Sequence, residues 1–279
     1  MVRTICINGK YVAAEEPVLL AGNKSFRYGD GLFETMKMYR GQVLLFELHK
    51  QRLFESLALL QYKIPAHFTA EKIEKEITTL CRKNKCDQLA RIRLSIWRGN
   101  GGLYEESGLE YMIECWPLSS TINQLNENGL EIGIYKDAKK SIDKFAHIKS
   151  ANFLPYAMAA LFARENKWND CLVLNQHDRI ADSTIANLFV IKDNIIFTPS
   201  LTEGCVNGTM RKYLLQQLPQ HGLAINETSL SLKDLEEADE VFLTNAVNCL
   251  RWVERFGSKT YTKMTVSRVY EKTIQPFYT

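Results

Sequence analysis

The sequence predicts an α+β protein of two units, and three observations carry that prediction. Its 279 residues suffice for two modest domains, and its 46% apolar and 24% charged composition is that of an ordinary globular chain. Short alternating strands and amphipathic helices follow one another throughout. Finally, a polar stretch from Pro117 to Gly129, with Ser119, Ser120, Asn123, Asn126 and Asn128, has the composition of a connector. The expected division is an N-terminal α+β domain over 1–117, a linker over 118–129 and a C-terminal domain over 130–279.

In the first unit, Ile5-Cys6-Ile7, Asn8-Gly9 and Tyr11-Val12 read as a hairpin, because Asn-Gly supplies the positive φ of a tight turn. Met36–Tyr39, Arg40-Gly41 and Val43–Phe46 repeat the pattern. Between them, Tyr28-Gly29-Asp30-Gly31-Leu32-Phe33-Glu34-Thr35 is either a simple turn or a place of close approach, which its two glycines permit. Leu48, Leu53, Leu57 and Leu60 mark a helix over Glu47–Tyr62 that contains Arg52; Thr69 caps a second over Ala70–Lys83. Arg91–Trp97 alternates as a strand, Gly99-Asn100-Gly101-Gly102 breaks it, and Tyr111–Trp116 forms the next.

In the second unit, Leu130–Tyr135 is a strand, and Phe153–Glu165 is a helix with Asn152 as its cap and Pro155 in its first turn. Lys149 thus falls at a loop-to-helix junction. Short strands follow at Cys171–Leu174, Asn187–Ile191, Ile195–Thr198 and Glu240–Thr244, with helices at Thr209–Leu218 and Ser231–Glu237.

Composition also excludes. A net charge of +3, with basic and acidic residues interspersed, gives no footprint for nucleic acid or an anionic membrane. No apolar run reaches membrane-spanning length, and Met1–Gly9 reads as a strand and turn rather than a signal peptide, so a cytoplasmic protein is expected. The seven cysteines, without Cys-x-x-Cys spacing, read as reduced packed thiols, and no metal site is expected.

Five ordered motifs carry the chemistry: Gly29-Asp30-Gly31 with Phe33-Glu34-Thr35; His49-x-x-Arg52-Leu53; Lys149-Ser150-x-Asn152; Asp182-Ser183-Thr184-x-x-Asn187; and Gly204-x-x-Asn207-Gly208-x-x-Arg211. Together they resemble the class IV aminotransferases, the fold type IV pyridoxal-phosphate enzymes, over nearly the whole chain. The resemblance implies a smaller N-terminal α+β domain, a C-terminal pseudo-barrel domain, the cofactor in the cleft between them, a homodimer, and a small-molecule amino substrate. It also implies pyridoxal 5'-phosphate held as a Schiff base by Lys149, whose released amine removes the substrate's α-proton.

By the same resemblance Arg52 serves the cofactor phosphate, with Thr209 and Met210 presenting amides at a helix start; by spacing alone Arg52 is a surface ion pair. Asp182 takes the ring-nitrogen role in which the family has Glu; otherwise it is a turn or cap aspartate. Asn187 is structural. Asn245 and Ala246 stand where transaminases carry a phosphate-binding hydroxyl. Glu34 lies near the lysine, or else is a solvated strand carboxylate, and Phe33, Thr35 and Arg98 complete the expected substrate-facing group. The motifs lean toward a 4-amino-4-deoxychorismate lyase over a transaminase of branched-chain or D-amino acids. Leu103-Tyr104 departs from the lyase pattern, which has an arginine there able to hold a substrate carboxylate.

Overall fold

The computed structural model describes residues 3–279; Met1 and Val2, at the start of the expected first strand, lie outside them. The chain divides into two compact units, one running to Ser120 and including Ile148–Asn152, the other made of Thr121–His147 and Phe153–Thr279. By its packing, the short segment carrying Lys149 belongs to the first unit.

That unit is an antiparallel sheet of β1 (Thr4–Ile7), β2 (Lys10–Ala13), β3 (Gly31–Tyr39), β4 (Gln42–Val43), β5 (Leu89–Arg98) and β6 (Leu109–Pro117), ordered β2-β1-β6-β5-β3-β4. A short helix α1 (Lys24–Tyr28) precedes β3, and α2 (Phe46–Leu59) and α3 (Ala70–Lys83) lie between β4 and β5. Strand alternation sorts the side chains by face. Leu32, Met36, Met38, Ile92, Leu94 and Ile96 pack with Leu53 and Leu57 of α2 and Ile73, Ile77 and Leu80 of α3 in one buried core. Thr69 caps α3 as its sequence indicates, accepting from Lys72 N at 3.2 Å.

The glycine-rich stretch is both a turn and a strand start: Gly29 ends α1 in a left-handed conformation, φ 66°, and Gly31 opens β3. Gly31 is required there, because a Cβ would lie 2.7 Å from the Ile96 carbonyl oxygen. The segment around Lys149 lies antiparallel to that end of β3: Leu32 opposes Ser150, Phe33 N donates to Lys149 O at 2.9 Å, and Ala151 N donates to Gly31 O at 2.8 Å.

The second unit is built on a nine-stranded sheet of β7 (Leu130–Lys140), β8 (Asp170–Asn175), β9 (Ile180–Ser183), β10 (Asn187–Lys192), β11 (Ile195–Pro199), β12 (Ile225–Thr228), β13 (Glu240–Asn245), β14 (Cys249–Phe256) and β15 (Lys259–Thr260). Its order is β12-β11-β10-β13-β14-β7-β8-β9, with β15 on β14, and the edge strand β9 comes back against β10 and β11, curling the sheet toward closure. Helices α4 (Leu154–Glu165), α5 (Thr209–Gln217), α6 (Leu232–Glu236) and α7 (Met264–Val269) accompany it. Asn152 is not the cap of α4. Phe153 takes that place without a side-chain cap, because Asn152 belongs to the extended segment beside β3. Asp182, read as a possible turn residue, lies within β9.

Candidate active site

In the first unit, Lys149 is half-buried, with its ammonium 4.6 Å from the centre of the Phe33 ring. The Arg93 guanidinium lies over the same ring at 3.8 Å. Register explains the grouping: Phe33 opposes Ser95 and Thr35 opposes Arg93, so these four share the face of β3 and β5 turned away from the helices. Arg93 donates from Nε to Ser95 Oγ at 3.1 Å and makes no ion pair among the described residues; Glu114, opposite it on β6, is paired with Arg3. Arg93 is marked in the sequence by nothing beyond its place on the polar side of an alternating strand.

Glu34 and Arg52 come together on the other face. Glu34 is 2% exposed; Arg52 donates to it from Nε at 2.8 Å and from Nη2 at 2.5 Å, and His49 Nδ1 lies 2.7 Å from Oε2. Burial pushes the Glu34 carboxyl up, but the Arg52 guanidinium and the His49 contact outweigh it and hold it at about 2. Burial drives the His49 imidazole below its ordinary value; Glu34 opposes this, while the charges of Arg52 and Lys149 add to it. His49 is therefore a member of the group that the motif reading left without a role, and Lys149 is felt within it.

Arg98 is elsewhere engaged. It pairs with Asp30 at 2.5 Å, donates to Leu60 O and lies 4.2 Å over the Tyr62 ring, and none of these contacts is to Phe33, Glu34 or Lys149.

The second unit assembles a different group. Asp182, 2% exposed, accepts at Oδ2 from Tyr156 Oη at 2.9 Å, Lys140 Nζ at 3.1 Å and Val206 N at 2.8 Å, and at Oδ1 from Asn187 Nδ2 at 2.9 Å. The two residues after it are structural: Ser183 Oγ and Thr184 Oγ1 donate to the buried Asp170 at 2.8 and 2.6 Å, which fixes the end of β9. Asn187, expected to be structural, also donates to Val206 O at 2.8 Å, tying the acid to the loop that enters α5. Gly208 caps α5 without a side chain, and a Cβ there would lie 1.9 Å from Asn187 Oδ1. Thr209 and Met210, both buried, follow in the first turn. Lys140 and Tyr156 were missed because the strand reading stopped at Tyr135 and the helix reading assigned Tyr156 no polar role.

Asn245 and Ala246 close β13. The Asn245 side chain is spent on its own turn, accepting from Val247 N at 3.0 Å and Asn248 N at 2.8 Å. Thr244, beside it and opposite Asn187, is buried with no hydrogen-bond partner for its hydroxyl among the described residues.

These groups suit pyridoxal phosphate. A nine-residue helix whose N-cap brings no side chain offers backbone donors to a phosphate, a buried partnerless hydroxyl lies on the strand next to Asn187, and an acid is tied to the same loop. Lys149, in the first unit, carries a primary amine of the kind that an aldehyde takes up as a Schiff base.

The amino-transferase class IV family profile matches residues 31–256. Aminodeoxychorismate lyase from Vibrio harveyi is 30% identical over 230 residues, covering 81% of this chain and 83% of that one. The branched-chain amino acid aminotransferase of Escherichia coli superposes with a TM-score of 0.87 at 21% identity, over 97% of this chain and 93% of the other. A hypothetical aminotransferase from Mycobacterium tuberculosis, in its pyridoxal-phosphate-bound form, gives 0.84 at 17% identity, over 97% of each. The chain belongs to the class IV aminotransferases. It has the fold type IV architecture and is a pyridoxal-phosphate-dependent enzyme.

Proposed function

We propose that this enzyme is a 4-amino-4-deoxychorismate lyase, releasing pyruvate and 4-aminobenzoate. The observation that carries the reading is the pair of cations over Phe33: the Lys149 ammonium at 4.6 Å and the Arg93 guanidinium, which makes no ion pair among the described residues, at 3.8 Å. A branched-chain amino acid calls for an apolar pocket. Beside Phe33 on that face stand Thr35 and Lys37 on β3 and Arg91, Arg93 and Ser95 on β5, a polar and cationic run suited to a substrate with two carboxylates, with Trp97 at one end of it and Tyr39 and Leu89 at the other. The name of the Vibrio harveyi relative supports the same activity.

When bound, pyridoxal phosphate supplies an aldehyde that takes the substrate amino group and a ring that accepts the electron pair left by the departing proton. Lys149 Nζ removes the proton from the amino-bearing carbon. The bond from the neighbouring carbon to the enolpyruvyl oxygen then breaks, the ring becomes aromatic, and the proton passes to the leaving group as it becomes pyruvate. Arg93 holds a substrate carboxylate, the task of the arginine that the lyase pattern has and Leu103-Tyr104 lacks. Asp182 serves the ring nitrogen, and Thr209 and Met210 offer amides to the phosphate. Glu34 fixes Arg52 through its bidentate pair.

The working enzyme is a homodimer in this reading. Support comes from Leu20, Phe26 and Tyr104, apolar side chains 68%, 80% and 98% exposed on α1 and the two loops around it. Light scattering at twice the chain mass is expected.

The test is direct. Protein loaded with cofactor is given aminodeoxychorismate, and separately each L- and D-amino acid without a keto acid. Equal amounts of pyruvate and 4-aminobenzoate, with a visible spectrum unmoved by any amino acid, are expected. Conversion to the pyridoxamine form by an amino acid, with no pyruvate from aminodeoxychorismate, identifies a transaminase instead.

A further inference from the structure

Three of the seven cysteines converge at a point remote in sequence from every motif above. Cys81 lies in the last turn of α3, Cys86 just beyond it, and Cys115 on β6; they are 0%, 5% and 1% exposed. Their sulfur atoms all lie within 4.8 Å of one another, and Cys86 and Cys115 approach to 3.5 Å. The local backbone produces this. The helix ends at Asn84, Lys85 takes a left-handed conformation with φ 54°, and Cys86 N donates to Cys81 O at 2.9 Å, turning the second thiol back beside the first. Cys115 faces them from the sheet, opposite Ile92 in register.

A buried cysteine is ordinarily a small apolar filler. Here a polar group is aimed into the cluster: the Asn84 side-chain amide donates to Cys115 Sγ at 3.2 Å, while Thr4 N and O hold the same amide at 2.9 and 2.8 Å. A donor delivered to sulfur in an apolar core favours the thiolate, the form that binds metals. Bonds of ~2.3 Å from one ion to three sulfurs set those sulfurs about 4 Å apart, within the span of the triangle observed here.

We infer that Cys81, Cys86 and Cys115 form a structural site for one thiophilic d10 cation, of the class of Cu(I), Zn(II) and Cd(II). Thiolate ligands select such ions and exclude magnesium and calcium, which take oxygen donors. Each thiol releases its proton as its sulfur bonds the metal, and no electrons are transferred. The ion ties the end of α3 to β6 and has no part in the chemistry at Lys149. The pairwise spacing hid the site, since Cys81 and Cys86 are separated by four residues and Cys115 lies a strand away.

Cadmium is the probe. The full chain is expressed in medium containing cadmium chloride and purified without chelator, then assayed for metal content and for ultraviolet sulfur-to-cadmium charge transfer. About one cadmium per chain is expected. Cys81→Ala and Cys115→Ala should each lower the content at least about tenfold, while Cys171→Ala, in the other unit, should leave it unchanged. Less than about a tenth of an equivalent in the unaltered protein, or full retention in both variants, overturns the proposal. If either variant fails to fold, X-ray absorption of the cadmium-loaded unaltered protein decides: three sulfur neighbours are required, and one or none refutes the site.

Discussion

Two buried carboxylates, Glu34 in the first unit and Asp182 in the second, are each 2% exposed, yet they are held in opposite ways. Glu34 ties β3 to α2, and its partners among the described residues are a guanidinium and an imidazole. Asp182 gathers donors from four places: the end of β7, α4, the start of β10 and the loop before α5. Only one of those donors, Lys140, is a cation. The first arrangement concentrates charge to anchor a single arginine; the second spreads neutral donors to shape a site.

That difference can be broken by substitution. Glu34→Gln leaves the Arg52 guanidinium buried without its carboxylate, and about 3–5 kcal/mol of stability should be lost, read from the denaturant midpoint. A smaller loss is expected for Asp182→Asn, about 1–3 kcal/mol, because three of its four donors are neutral; weakened cofactor binding in an equilibrium titration should accompany it. A larger stability loss for Asp182→Asn would reverse the comparison.

Acid sharpens the same contrast. The folded Glu34 carboxyl, at about 2, lies below its ordinary value of 4.5. The stability it contributes is therefore complete above that ordinary value and drains away as the pH falls toward about 2, a loss of about 3 kcal/mol across that window. His49, lowered as well, acts in the same direction through the ordinary histidine range. Unfolding midpoints measured from pH 7 downward should fall steeply for the unaltered protein and less so for Glu34→Gln.

Arg93 and Arg98 separate binding from architecture. Arg93→Ala should raise KM for a dicarboxylate substrate about 10- to 100-fold, the loss of a charged hydrogen bond, with kcat little changed. Arg98→Ala should lower stability through loss of the Asp30 pair and the Tyr62 stacking, about 1 kcal/mol, and leave KM near its original value. Asn245→Ala, which removes the acceptor of two backbone donors in one turn, should cost a similar amount, about 1 kcal/mol, in stability.

Helices and strands with clean periodicity were legible: Thr69 and the apolar spacing of α3 delimited it, and alternation located most of β5. Elements without periodicity were not. α1 has five residues and exposed aromatics, β9 has four residues buried throughout, and β14 lacks polar alternation at its start. Lys149, Glu34, Arg52 and Asp182 could be singled out because they stand in ordered motifs that resemble those of the class IV aminotransferases. Arg93, Lys140 and Tyr156 could not, because their roles come from register and convergence between distant segments, which only the folded chain supplies.

Lys149 is the amine proposed to meet the cofactor, and Lys140, which pairs with Asp182 at 3.1 Å, is the rival lysine. Borohydride reduction of the cofactor-loaded protein, followed by digestion and peptide mapping, should place the pyridoxyl label on Lys149, and Lys149→Ala should lose label and turnover together. A label on Lys140, or one that persists in Lys149→Ala, would contradict the account.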